Sequence, residues 1–85
     1  MPKLVRVEVR YYAQLRENLR LSREEVEWEF PALEEEILRR LARLHPAQEQ
    51  LIRASRIAVE DAYLPQGTVI HEATSVDVIS PVSGG

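Results

Sequence analysis

The 85-residue chain contains no cysteine, two histidines and three glycines, of which only Gly67 is internal. Without cysteine it can form no disulfide, no thiolate metal site and no cysteine nucleophile. Small secreted domains usually depend on disulfides, so this absence favours a reducing, cytoplasmic location. His45 and His71 are far apart and have no helical i,i+4 partner, so we expect no metal site. The isolated Gly67 excludes a glycine-rich phosphate loop.

The sequence also has no long apolar run and no excess of positive charge. Charged and apolar residues alternate directly after Lys3, so we expect neither a signal peptide nor a membrane span. The formal net charge of −3 argues against nucleic acid as the main partner, because phosphate binding needs a basic surface. A hydrophobic fraction of 45% over 85 residues suits one globular domain with a single modest core.

The first third of the chain contains two short segments in which apolar and polar residues alternate. Leu4 to Tyr12 alternates with a period of two, which predicts a strand with Tyr12 on its open face. The inward residues of that strand are Val5, Val7, Val9 and Tyr11. Glu25 to Phe30 alternates in the same way and predicts a second, antiparallel strand with Trp28 in the core. Residues 13–18 predict a short helix or loop between the two strands.

Residues 32–44 predict the main helix. Apolar side chains at spacings of three and four form its buried stripe: Leu33, Ile37, Leu38, Leu41 and Leu44. Glu35–Arg39 and Glu36–Arg40 are i,i+4 pairs on the solvent face. Pro31 suits the first turn of this helix, and His45-Pro46 ends it, with a further helical turn expected over residues 47–52.

The second half of the chain predicts short strands at residues 56–60, 63–64, 69–70 and 75–80. In the last of these, Val76 and Val78 point inward while Asp77 and Ile79 point outward. The right-handed crossover rule places this strand beside the first. The predicted fold class is α+β, a ubiquitin-like β-grasp with a mixed sheet packed on one main helix. It comprises residues 1–80, and a flexible C-terminal diglycine tail comprises residues 81–85.

No catalytic constellation is evident in the sequence. The carboxylates occupy alternating strand positions or the helix exterior, and no serine lies in a nucleophile elbow. Gly84 and Gly85 would place a slim carboxylate on a tether that spans up to about 17 Å from Pro81. One interpretation is a frayed terminus of small residues. The other is a reacting group that enters a narrow pocket on another protein, which suits a carrier without its own active site.

Three segments resemble the MoaD/ThiS family of ubiquitin-like sulfur carriers, and within it the MoaD type, the small subunits of molybdopterin synthase. Tyr11 to Glu17 resembles the family's aromatic-aromatic-Ala-x-x-Arg-Glu segment. Ala58-Val59 with Tyr63-Leu64 resembles its Ala-Val-Asn strand and the following turn. Val76 to Gly85 resembles its ending in Pro-Val-Ser-Gly-Gly. The chain departs from the family pattern at Glu60, at Thr74-Ser75 and at Ser80, which stands where the family has the first of two prolines.

This resemblance implies a function for Gly84 and Gly85. An E1-like adenylating enzyme (MoeB type) would use ATP and Mg²⁺ to activate the Gly85 carboxylate, and this chain would bind no cofactor itself. Conversion to a thiocarboxylate would then let it donate sulfur to a pterin precursor and form the molybdopterin dithiolene during molybdenum cofactor biosynthesis. The catalytic residues are expected on the large subunit (MoaE type), so this chain would be the non-catalytic sulfur donor of the complex.

Alternation also predicts a surface for those partners. Tyr12 and Ile79 share the open face, and Tyr63 joins them if its strand has a suitable register. The tail residues Pro81, Val82 and Ser83 complete the predicted partner-binding set. The alternative is that these are isolated surface apolar residues, which are common.

Several functions stay open on the sequence. One is a sulfur carrier for thiamine or tRNA thiolation, and the others are a ubiquitin-like protein modifier and a plain binding module.

Overall fold

The computed structural model describes residues 3–81, and within this range the chain forms seven strands, three α-helices and a 3₁₀ turn. The strands are β1 (Lys3–Tyr12), β2 (Arg23–Phe30), β3 (Ala32–Leu33), β4 (Arg56–Val59), β5 (Ala62–Tyr63), β6 (Val69–Ile70) and β7 (Ser75–Ile79). The helices are α1 (Ala13–Leu19), α2 (Glu34–Leu44) and α3 (Glu49–Arg53), with a 3₁₀ turn at Pro46–Gln48.

A mixed sheet with the strand order β2-β1-β7-β4-β5 is the main layer. β1 pairs in parallel with β7, while β2 and β4 pair antiparallel with their neighbours. The chain therefore crosses over, through α2 and α3, from β2 at one edge of the sheet to β4 on the other side of β1 and β7. This confirms the predicted β-grasp and the predicted position of the last strand beside the first.

One face of the sheet carries the core, and alternation predicted which face correctly. Val7, Val9 and Tyr11 of β1 are buried, as is Trp28 of β2. The helices cover them, with Ile37 and Leu41 of α2, Leu15 of α1 and Ile52 of α3 in the same apolar cluster. The opposite face carries the alternate residues of β1: Leu4, Arg6, Glu8, Arg10 and Tyr12. No helix among the described residues covers this face, and Tyr12 is exposed there.

The start of α2 differs from the prediction. The helix begins at Glu34, because Ala32 and Leu33 pair as β3 with Ile70 and Val69 of β6. Pro31 therefore precedes a short strand rather than the first helical turn. The predicted stripe is also shorter than expected: Leu33 is half-buried and Leu44 is 49% exposed, whereas the central residues of the helix are buried.

Glu36 and Arg40, one of the predicted i,i+4 pairs on α2, each make a different contact. The Arg40 guanidinium lies 4.9 Å from the centre of the Trp28 ring, in a cation–π arrangement. Glu36 accepts a long hydrogen bond of 3.4 Å from the backbone N–H of Leu33. The two side chains thus link α2 to β2 and to β3.

A polar cluster joins β1 and β2 to the end of α2. The Tyr11 hydroxyl donates a hydrogen bond to Glu24 Oε2, and His45 Nε2 lies 2.6 Å from the same oxygen. The Tyr11 and His45 rings meet edge to face with their centroids 6.1 Å apart. Burial, followed by the hydrogen bond and charge of Glu24, raises the pKa of Tyr11 above its ordinary value of 10.0.

Two leucines of α2 should differ sharply in their contribution to stability. Leu41 is fully buried, so Leu41→Ala should lower the free energy of unfolding by about 2–5 kcal/mol. Leu44→Ala, the matched control, should change it by no more than about 0.5 kcal/mol because that side chain is half in solvent. Urea denaturation of both variants tests this. A Leu44→Ala loss as large as that of Leu41→Ala would mean that the helix packs on a different face.

Tyr11 should make stability depend on alkaline pH. Because its pKa is raised in the folded chain, folding retains a proton that the unfolded chain releases near pH 10. The resulting stabilisation is complete below about pH 10 and is lost as the pH rises above it. The free energy of unfolding should therefore fall more between about pH 9 and about pH 11 in the wild type than in Tyr11→Phe. Equal falls in both proteins would contradict the assignment.

Candidate functional site

The parallel pairing of β1 and β7 brings together two ends of the chain that lie far apart in sequence. Tyr12, the last residue of β1, pairs with Ile79, the last residue of β7. On the other side of β7, Arg56 of β4 pairs with Ile79. Side chains from several strands therefore meet at one edge of the open face.

Tyr63 reaches this edge because of the turn that precedes β5. Strand β4 ends at Val59, one residue earlier than predicted, and Glu60 and Asp61 form the turn with φ values of 51° and 65°. Two successive residues in this left-handed region are typical of a tight type I′ hairpin. The hairpin sets Tyr63 opposite Ala58.

These residues line a shallow depression of about 380 Å³. Its walls are Tyr12, Ala58, Asp61, Tyr63, Asp77 and Ile79. The structure thus brings together Tyr12, Tyr63 and Ile79, the three body residues of the predicted partner-binding set. Tyr63 is 54% exposed and Tyr12 is 37% exposed, so aromatic surface is available to a partner. We call this surface the docking face.

A charged pair beneath the docking face was not predicted. Asp77 lies on the open face, as alternation requires, yet it is buried. Arg10 Nε donates to its carboxylate at 2.7 Å, and the Tyr12 hydroxyl lies 3.4 Å from the same oxygen. The hydrogen bond to Asp77 and the charge of Asp77 raise the pKa of Arg10. Arg10 alternates with Tyr12 along β1, and Asp77 alternates with Ile79 along β7, so all four lie on the open face. This alternation was the signal in the sequence that could have indicated the pair.

Arg56 adds a second cation at the border of the docking face. Its guanidinium lies 5.1 Å from the centre of the Tyr63 ring. Such a contact orients an exposed aromatic ring without covering its other face.

The root of the tail is held firmly beside the docking face. Ser80 follows β7 directly and is 1% exposed, whereas Pro81 is exposed. The Leu15 N–H donates to Ser80 Oγ at 3.3 Å, and the Ser80 hydroxyl donates to the Tyr12 carbonyl at 3.3 Å. The predicted site residues Val82, Ser83, Gly84 and Gly85 lie outside the described residues.

A larger hollow of about 720 Å³ lies at the other end of the sheet, between the edge strand β2 and α2. Leu4, Trp28 and Pro31 contribute apolar surface there, and arginines and glutamates surround it. It lies where β1 begins, because Lys3 pairs with Phe30, whereas the tail leaves where β1 ends. The docking face is therefore the better candidate despite its smaller volume.

Within residues 3–81, no three His, Cys, Asp or Glu side chains are grouped so that they could hold a metal ion. In the same part of the chain, no helix has the length and apolar character needed to cross a membrane.

In fold, the chain is similar to three solved structures. One is a protein from Pyrococcus furiosus, provisionally named molybdopterin converting factor subunit 1, with 22% identity, a TM-score of 0.72, and coverage of 92% of this chain and 99% of that one. SAMP1 from Haloferax volcanii has 20% identity, a TM-score of 0.73, and coverage of 94% and 99%. The HVO 2177 protein from the same organism has 20% identity, a TM-score of 0.73, and coverage of 96% and 88%.

These likenesses define the class of the chain as a ubiquitin-like β-grasp protein. The model of the ThiS family matches residues 9–85, and the chain belongs to the ThiS family. A sequence comparison with curated proteins finds no significant match. The chain is thus a sulfur-carrier or ubiquitin-like protein of the ThiS/MoaD type, a class that works with partner enzymes.

Proposed function

We propose that this chain carries sulfur for molybdopterin synthesis as a thiocarboxylate on Gly85. The observation that carries the proposal is the position of the tail root, Ser80, directly beside an exposed aromatic face. The match to the ThiS family, which extends through Gly85, supports a role for the diglycine in that reaction. The likeness to the Pyrococcus furiosus protein supports a pterin precursor as the sulfur acceptor.

The chemistry proceeds in three steps, all on partner enzymes. The Gly85 carboxylate attacks the α-phosphorus of ATP, pyrophosphate leaves, and an acyl-adenylate forms. The terminal sulfur of a sulfurtransferase persulfide then displaces AMP to give an acyl disulfide. A partner thiol attacks the sulfurtransferase sulfur of that disulfide, which releases the thiocarboxylate and leaves a disulfide on the partner. Glycine presents no side chain to obstruct the first two attacks. ATP and Mg²⁺ bind to the adenylating enzyme, and this chain binds no cofactor.

Two partners are proposed for the docking face. An E1-like adenylating enzyme (MoeB type) would hold the chain while Gly85 is activated. A large subunit (MoaE type) would hold it while sulfur passes to the pterin, and would supply the catalytic residues. Exposed aromatic side chains such as Tyr12 and Tyr63 are the type that anchors protein interfaces. We propose that the activation of Gly85 and the transfer of sulfur to the pterin both occur in the cytoplasm.

The likeness to SAMP1 keeps a second group of functions in view. Its TM-score of 0.73 equals that of the converting-factor protein within 0.01, so the fold is compatible with either use. A ubiquitin-like modifier would form an isopeptide bond through the same Gly85 carboxyl group. A carrier for thiamine or tRNA thiolation would differ only in the acceptor of its sulfur.

Removal of Gly85 should abolish thiocarboxylate formation without affecting the fold. Gly85 lies five residues beyond the buried Ser80, so its deletion leaves the core contacts intact. Mass spectrometry after incubation with the adenylating enzyme, ATP and a sulfur donor should show oxygen-to-sulfur exchange in the wild type only. The melting temperature of the two proteins should agree. A wild-type chain that never gains sulfur would refute the proposal.

A second assay identifies the molecule that accepts sulfur from the thiocarboxylate. The thiocarboxylate form is mixed with a large subunit of the MoaE type and a pterin precursor, and in parallel with thiamine and tRNA acceptors. Conversion of the pterin supports molybdopterin synthesis, while sulfur transfer only to another acceptor, or isopeptide adducts through Gly85, supports the corresponding alternative.

The docking face should be sensitive to loss of one aromatic ring. Tyr63→Ala should weaken binding to the adenylating enzyme about tenfold or more, because it removes an exposed aromatic anchor. Leu4→Ala is the matched control, since Leu4 is 60% exposed and lies on the same face at the other end of β1. Isothermal titration calorimetry measures both. Equal affinities for the two variants would mean that partners bind elsewhere.

A further inference from the structure

We infer that Ser80 is a positioning residue, whose buried hydroxyl fixes the direction in which the tail leaves the domain. This inference rests on the proposed function of Gly85. The hydroxyl is part of no catalytic arrangement, yet it is 1% exposed and has two hydrogen-bond partners in another segment.

The two partners of Ser80 lie on either side of a sharp change in chain direction. Tyr12 ends β1 and is the N-cap residue of α1, and Leu15 lies in the first helical turn. Between them, Ala13 has a φ of 57°, in the left-handed region that is strained for any residue with a Cβ. Such a conformation persists only where the surroundings hold it in place. Ser80 supplies part of that restraint from the segment that follows β7.

Ser80 also acts as the missing cap of α1. The first N–H groups of a helix have no partner within the helix, and the Tyr12 side chain makes no capping hydrogen bond. Ser80 Oγ instead accepts from the N–H of Leu15. α1 has only seven residues, and so short a helix depends on contacts outside itself. The helix start and the tail root are therefore stabilised by the same hydroxyl.

This double role restrains the chain just before the tail. The proline that follows has a fixed φ and restricts Ser80 to extended conformations. With its side chain bonded to Tyr12 and Leu15, Ser80 has little freedom left. From Pro81 to Gly85 the chain can span up to about 17 Å, so a rotation of about 30° at the root moves the far end by about 9 Å. A fixed root concentrates the Gly85 carboxyl group where a partner bound at the docking face can reach it.

The first test measures modification of Gly85. Ser80→Ala should lower kcat/KM for thiocarboxylate formation about tenfold, which corresponds to about 1.4 kcal/mol. The loss should lie mainly in kcat, because the side chains of the docking face are unchanged. Ser80→Thr, which keeps the hydroxyl, should retain wild-type kinetics.

Glu34→Ala is the matched control for simple destabilisation. It removes a buried acceptor of the Gly67 N–H, at 3.0 Å, at the start of α2, and this hydrogen bond shares no residue with those of Ser80. Its melting temperature should fall while its kinetics stay close to those of the wild type. If Glu34→Ala slows modification as much as Ser80→Ala does, Ser80 is only a structural anchor and the inference is wrong.

The second test does not depend on the proposed function. The chain has no cysteine, so Ser83→Cys and Glu27→Cys allow two spin labels to be placed, one on the tail and one on β2. Pulsed electron paramagnetic resonance measures the distance between the two labels. The distribution of this distance should become wider when Ser80→Ala is added, and should stay unchanged when Glu34→Ala or Ser80→Thr is added. An unchanged distribution with Ser80→Ala would overturn the inference. A wild-type chain that gains no sulfur would instead refute the proposed function, while the distances would still decide the role of Ser80.

Discussion

The parallel pairing of β1 with β7 is the constraint on which the rest of the structure depends. Parallel neighbours cannot be joined by a tight turn, so the chain between them must leave the sheet and return. The intervening residues use this path to place α2 over the core face. The same pairing aligns the ends of both strands, with Tyr12 opposite Ile79. Tyr12, from the first part of the chain, therefore lies beside Ser80 at the root of the tail, and its carbonyl accepts a hydrogen bond from Ser80.

Much of this arrangement could be predicted because alternation determines which face a strand residue occupies. Val7, Val9 and Tyr11 were assigned to the core correctly, and Tyr12 and Ile79 to the open face. The crossover rule then placed their strands together. The position of Tyr63 depended on a register that the sequence left open. Glu60 and Asp61 adopt left-handed conformations there, although neither is the glycine or asparagine that usually signals such a turn.

The errors have a common physical origin, since local patterns do not report contacts between distant segments. The start of α2 was placed two residues too early because Ala32 and Leu33 pair with β6, more than thirty residues later in the chain. Parity assigned Asp77 to the open face but could not show that Arg10 and Tyr12 cover it. Ser80 was noted only as a departure from a family pattern. Its two partners, Tyr12 and Leu15, lie at least 65 residues away in sequence.

The charged pair under the docking face would let the proposed partners cover that surface repeatedly at low cost. If this carboxylate had no counter-charge within the chain, each partner would have to supply a cation for it. A partner without such a cation would bind poorly. Arg10 Nε lies 2.7 Å from the Asp77 carboxylate, so the chain itself supplies the positive charge that balances Asp77. Partners then need only match an aromatic and aliphatic surface. Because both proposed partners would use the docking face and the same Gly85, the adenylating enzyme and the large subunit must bind the chain in turn.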